Sequence, residues 1–163
     1  MTIIGVDSSG HVKQPPIYMM AVRISKNKGQ LDALLHVSPQ QHEEYVRLCE
    51  KMKISHWFEK ISAILISKAV CEVYYAYDSI NIDVYFQGKS RRYVKEGLRK
   101  LFQAKYPGDS KRNNPDITFV PRKIDEIVRQ ADWKSKKARR KRIEVYKKMD
   151  DPNIIQELSY LQP

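Results

Sequence analysis

The chain has 163 residues, 42% of them apolar, and carries 30 Lys or Arg against 19 Asp or Glu for a net charge of +11. That length suits one compact domain with a single hydrophobic core. No stretch approaches the roughly 18–20 consecutive apolar residues of a membrane span, and the chain opens on a short apolar run rather than a basic segment, so a cytoplasmic protein with no membrane partner is expected.

Met1 to Val6 is rich in strand formers and is predicted to end at the turn-forming cluster Asp7-Ser8-Ser9-Gly10. A loop closed by Pro15-Pro16 leads to a second strand over 17–24. Asn27-Lys28-Gly29 marks a turn before a third strand over 31–37. Three strands with short connections imply an antiparallel meander. Ser38-Pro39 then starts a helix with Tyr45, Leu48, Cys49 and Met52 at helical spacing. A second helix carries Trp57, Phe58, Ile61, Ile64, Leu65, Val70, Val73 and Tyr74 on one broad face. From Ile80 to Phe86 the period returns to two, with Ile80, Ile82, Val84 and Phe86 on one side and Asn81, Asp83 and Tyr85 on the other. An amphipathic helix over 91–105, a short strand over 117–120 and a last helix from Ile124, extending as far as Met149, complete the order. The predicted fold is α/β, a mixed five-stranded sheet of three antiparallel and then two parallel strands with helices on both faces. Residues 1–149 form the domain, and Asp150-Asp151-Pro152 opens a C-terminal tail over 150–163 that packs back on the domain or docks on a protein partner. Neither Cys49 nor Cys71 belongs to a C-x-x-C pair, and both read as buried free thiols. His42 and His56 have no paired ligand spacing and read as structural or surface residues.

Charge is segregated along the chain. Residues 89–142 hold nineteen Lys or Arg and six Asp or Glu, a net of +13, whereas the remainder comes to −2. A stretch so one-sided is the electrostatic footprint of a phosphate-backbone binder, and nucleic acid is the expected partner. Lys134, Lys136, Lys137, Arg139 and Arg140 belong to a run with seven like charges in nine residues, 134–142, and Lys89, Arg91 and Arg92 follow the Asp83 strand. These eight are the expected nucleic-acid contacts.

Three acidic residues stand where apolar residues or a packed helix margin are expected. Asp7 closes the first strand, Asp83 lies inside the fourth, and Asp132 follows Ala131 on the last helix. Strand interiors disfavour Asp, so Asp83 needs a reason. Carboxylates gathered in a partly buried place repel unless a cation neutralises them, and an all-oxygen donor set suits Mg²⁺ or Mn²⁺ better than zinc. Each has a plainer alternative: Asp7 as a turn cap, Asp83 on a solvated strand face, and Asp132 paired with Lys136 at i, i+4.

This order of elements, with Asp in Gly5-Val6-Asp7, Ile82-Asp83-Val84 and Gln130-Ala131-Asp132, resembles the ribonuclease H-like superfamily, and Ile4-Gly5-Val6-Asp7 is similar to the opening of type 2 ribonucleases H and of archaeal members of the superfamily. The resemblance implies that the first and fourth strands are neighbours and that Asp7, Asp83 and Asp132 are catalytic ligands of Mg²⁺ or Mn²⁺. It also implies a phosphodiester-hydrolysing nuclease acting through in-line attack of a metal-activated water. Type 2 enzymes carry a second acid directly after the first, whereas Ser8 and Ser9 stand here. A fourth acid is open among Glu59, Glu72, Asp125 and Glu126. The alternative function is a nucleic-acid-binding module that kept the fold without the chemistry.

Overall fold

The structure, a computed structural model, describes residues 2–11, 14–83, 88–140, 148–149 and 154–161. The meander forms as expected: β1 (Ile3–His11), β2 (Gln14–Ser25) and β3 (Gly29–Val37) pair antiparallel. The turn between β2 and β3 closes at Gly29, whose φ of 64° is costly for a residue with a Cβ. Next come α1 (Pro39–Lys51) and α2 (Trp57–Cys71). Ser38 caps α1 in a reciprocal capping box with Gln41, with Pro39 in the first helical turn where its missing N–H costs nothing. Then β4 (Ser79–Asp83) pairs parallel with β1, α3 (Lys89–Lys105) crosses over, and β5 (Ile117–Val120) pairs parallel with β4. The chain continues through α4 (Glu126–Arg140), β6 (Lys148–Met149) and α5 (Ile155–Leu161). The sheet order is β5-β4-β1-β2-β3-β6.

Period-two alternation sorts the strands into two faces. Ile4, Val6, Met19, Ala21, Leu35, Ile80 and Ile82 join the large core beneath α2 and α3, which explains why α2 is buried almost all round. Those helices approach closely at Gly97, where a Cβ would lie 3.0 Å from the Ala63 methyl. On the opposite face Tyr18, Met20, Val22 and Leu34 pack against Ala131, Ala138 and Ile127 of α4. Helices therefore cover both sides of the sheet, and Asp7, paired across β2 with Met20, lies on the α4 side.

Several boundaries differ from expectation. Strand β2 begins at Gln14 and contains Pro15 and Pro16, expected in a loop, because Gln14 already pairs with His11 of β1. Strand β1 does not stop at Val6, because the longer β2 supplies partners for Ser8 and Ser9 at Met19 and Tyr18, and that pairing overrides the turn composition of Asp7-Ser8-Ser9-Gly10. Asp7 is thus inside β1, one residue beyond its last pair with β4, Val6↔Ile82. Helix α4 starts after Ile124, which is exposed, because Asp125 caps it by accepting from the Val128 N–H at 2.9 Å. It does not reach Met149: Lys148 and Met149 form a sixth strand beside Leu34 and Leu35. The second helix closes at Cys71, so Val73 and Tyr74 enter the core from the segment that follows it. Val84 to Phe86 of the expected fourth strand, and Lys141 and Arg142 of the basic run, lie outside the described residues. In the tail, Ile154, Leu158 and Leu161 are core residues and Glu157 accepts from Lys68 at 2.6 Å, so this segment packs back on its own domain. Among the described residues no helix is long and apolar enough to cross a membrane.

Candidate carboxylate site and its basic surround

Gly5 sets the position of the site. An added Cβ there would lie 2.5 Å from the carbonyl carbon of Ile127 and 2.6 Å from the Val128 nitrogen, so the backbone of α4 rests directly on β1. Two residues on, β1 presents Asp7 on the same face, and four residues past Val128, one helical turn, α4 presents Asp132. Continuing the β1–β4 register one step beyond Val6↔Ile82 sets Asp83 beside Asp7. Close packing at Gly5 and the β1–β4 register thus bring three aspartates from two strands and a helix into one neighbourhood.

Asp7 is 7% exposed. Its Oδ1 accepts from the Ser8 N–H at 2.7 Å, while Oδ2 is buried and has no donor among the described residues. Burial pushes its carboxyl up to about 8, the Asp83 charge adds to this, the Ser8 N–H opposes it, and Asp132 raises it further by charge and by a carboxyl–carboxylate contact. Two ionised carboxylates have no proton to share, so Oδ2 is satisfied either by a proton that Asp7 keeps and offers to Asp132 or by a cation. Asp132 is already in company. Its Oδ1 accepts from Arg122 Nη1 at 3.2 Å and its Oδ2 from Lys136 Nζ at 3.0 Å, so the i, i+4 pairing with Lys136 coexists with the approach to Asp7. Among the described residues no three Asp, Glu, His or Cys side chains converge as a ready set of metal ligands. Arg122 and Lys136 already neutralise the Asp132 carboxylate. The donor set, carboxylate oxygens around one orphaned buried oxygen, nevertheless fits a hard divalent ion in its chemistry.

The other acids are engaged elsewhere. Asp125 caps α4 and accepts from Asn81 Nδ2 at 2.7 Å, which pins the start of α4 to β4; Glu59 accepts from Ser90 at 2.8 Å. Glu126 and Glu72 are exposed.

Of the expected basic contacts, Arg139 and Arg140 are exposed, Lys136 lies on Asp132, and Lys137 Nζ stands 4.7 Å from the centre of the Trp133 ring. On α3, Lys89 is exposed, Arg92 pairs with Glu96 at 2.9 Å, and Arg91 lies 5.9 Å from the Phe119 ring. Lys134 differs from these, because its largely buried ammonium binds Asp32 of β3 and fastens α4 to the sheet. Sequence reasoning passed over Arg122, ten residues from its partner with no periodic signal joining them. It also passed over Trp133, whose only signal was its place next to Asp132. His56 stacks on Tyr93 at 3.9 Å and His42 meets Trp57 edge-on at 6.3 Å, in line with structural roles. Burial pushes the Cys49 thiol up to about 11, which leaves it unreactive near neutral pH. No known family and no curated protein matches the chain.

Proposed function

We propose that the chain is a ribonuclease H-like, divalent-metal-dependent nuclease that hydrolyses phosphodiester bonds of nucleic acid in the cytoplasm. The observation that carries this reading is Asp7: a buried carboxylate with one oxygen that has no donor among the described residues, its pKa raised by burial and by its neighbours Asp83 and Asp132. Asp7, Asp83 and Asp132 would hold Mg²⁺ or Mn²⁺, which when bound acts as a Lewis acid and lowers the pKa of an attacking water. For Asp7 to serve as a ligand it must give up its proton, so its oxygens pass from proton to cation. Arg122 and Lys136, which pair with Asp132, would on release take the charge of a phosphate. Lys137, Arg139 and Arg140, with Lys89, Arg91 and Arg92 on α3, hold the strand by its backbone.

A second reading, a nucleic-acid-binding module without catalysis, draws on a specific observation: both oxygens of Asp132 already have basic partners. One experiment separates the two. With Mn²⁺ or Mg²⁺, the wild type is expected to cleave at least one member of a panel of RNA, DNA, hybrid and branched substrates. Asp83→Asn should lower that rate at least about 100-fold while binding stays within about twofold, since the amide keeps the size but not the charge. No cleavage of any substrate by the wild type would hand the lead to the binding module.

A further inference from the structure

Trp133 is 52% exposed, a large apolar ring left in water on the turn of α4 that carries Asp132. Helical spacing surrounds it with cations: Arg129 one turn before, Lys136 and Lys137 one turn after, and Arg140 two turns after. Lys137 already lies over the indole. A purely apolar partner suits this setting poorly, because docking on Trp133 would strip water from several ammonium and guanidinium groups without compensation. A flat π-system joined to negative charge on either side suits it well.

We propose that Trp133 is a stacking platform for an unpaired nucleobase, with the flanking phosphates on Lys136, Lys137 and Arg140. The strand presented to the carboxylate site is then single-stranded at this point, because a base within a duplex already has both faces stacked. This deepens the nuclease reading and rests on it for the claim that the strand continues toward Asp7; the stacking itself needs no metal.

The test is equilibrium binding in EDTA, where no strand is cut, using labelled oligo(dT), an abasic oligomer of equal length and a blunt duplex. Trp133→Ala should weaken oligo(dT) binding about tenfold, the size expected for one stacked base, and Trp133→Phe should recover most of it. The abasic oligomer should bind more weakly than oligo(dT) to the wild type and equally to all three proteins. Indole emission should be quenched by oligo(dT) in the wild type and not in Trp133→Phe, where Trp57 remains as the internal control. Oligo(dT) binding unchanged by Trp133→Ala would overturn the proposal, as would equal affinity for the abasic strand. Cleavage by a wild type whose binding ignores Trp133 would remove the platform and spare the nuclease. Trp133-dependent binding without cleavage would do the reverse.

Discussion

With its carboxyl pushed up to about 8, Asp7 holds a proton over most of the neutral range in the folded chain, against an unfolded value of about 3.9. Folding therefore takes up a proton between those values. The unfolded state binds fewer protons there, so stability falls as pH rises from about 4 to about 8 and is lowest above the folded value. Asp7→Asn abolishes that titration. In EDTA the variant should be more stable than the wild type at pH 8.5 by at least about 1 kcal/mol, several degrees in Tm, with the two curves converging toward pH 4. If Asp7 merely accepted the Ser8 N–H as a turn residue, its pKa would be depressed and the difference would have the opposite sign. Differential scanning calorimetry across that range decides between them. Asp83 stood out in the sequence because it breaks the propensity of its strand, whereas Asp7 and Asp132 drew notice only by their places at a strand end and at the margin of a helix stripe. Arg122 did not stand out, because its contact with Asp132 depends on how the segment after β5 turns back over α4.

Between elements, the contact that assembles the site is the seat of α4 on Gly5. A methyl group added there meets backbone atoms of Ile127 and Val128, which no rotamer change can move aside. Gly5→Ala should cost about 2–3 kcal/mol in urea denaturation, and by lifting α4 it should also draw Asp132 away from Asp7 and flatten the pH dependence described above. A neutral substitution would mean that α4 does not rest on β1. Sequence periodicity located the first four helices and the first five strands, since each follows from its own apolar repeat, whereas α5 lies in the segment read only as a tail. Periodicity failed at the end of β1 and the end of α4 for one reason. Ser8 and Ser9 extend a strand only because β2 lies alongside, and Lys148 and Met149 form one only because β3 has a free edge. Neither partner is visible in a local window of sequence.

At the scale of the molecule, the sheet places the carboxylates where β1 and β4 meet, under a helix whose outer face is strongly basic. For about five phosphate contacts, log–log plots of affinity for short oligonucleotides against salt should have a slope near −4 to −5. Replacing Lys136, Lys137, Arg139 and Arg140 with Ala should flatten it. Lys134→Ala should leave the slope unchanged and lower stability instead, because its ammonium is committed to Asp32. The charge count picks out the basic run but not this division of labour: its charges look equivalent until the helix is docked and Lys134, among the described ones, turns to Asp32. The tail shows the same limit, its apolar residues fitting a partner's surface or their own core equally well by composition.

The central claim is that Asp7, Asp83 and Asp132 together exchange a proton for a divalent cation, and calorimetric titration with Mn²⁺ at pH 7 tests it most directly. Run in two buffers of different ionisation enthalpy, the titration should show saturable binding with release of about one proton, the one Asp7 holds. Asp7→Asn and Asp83→Asn should each abolish it. Absence of saturable binding in the wild type, or binding that survives in Asp7→Asn with the same proton release, would contradict the account.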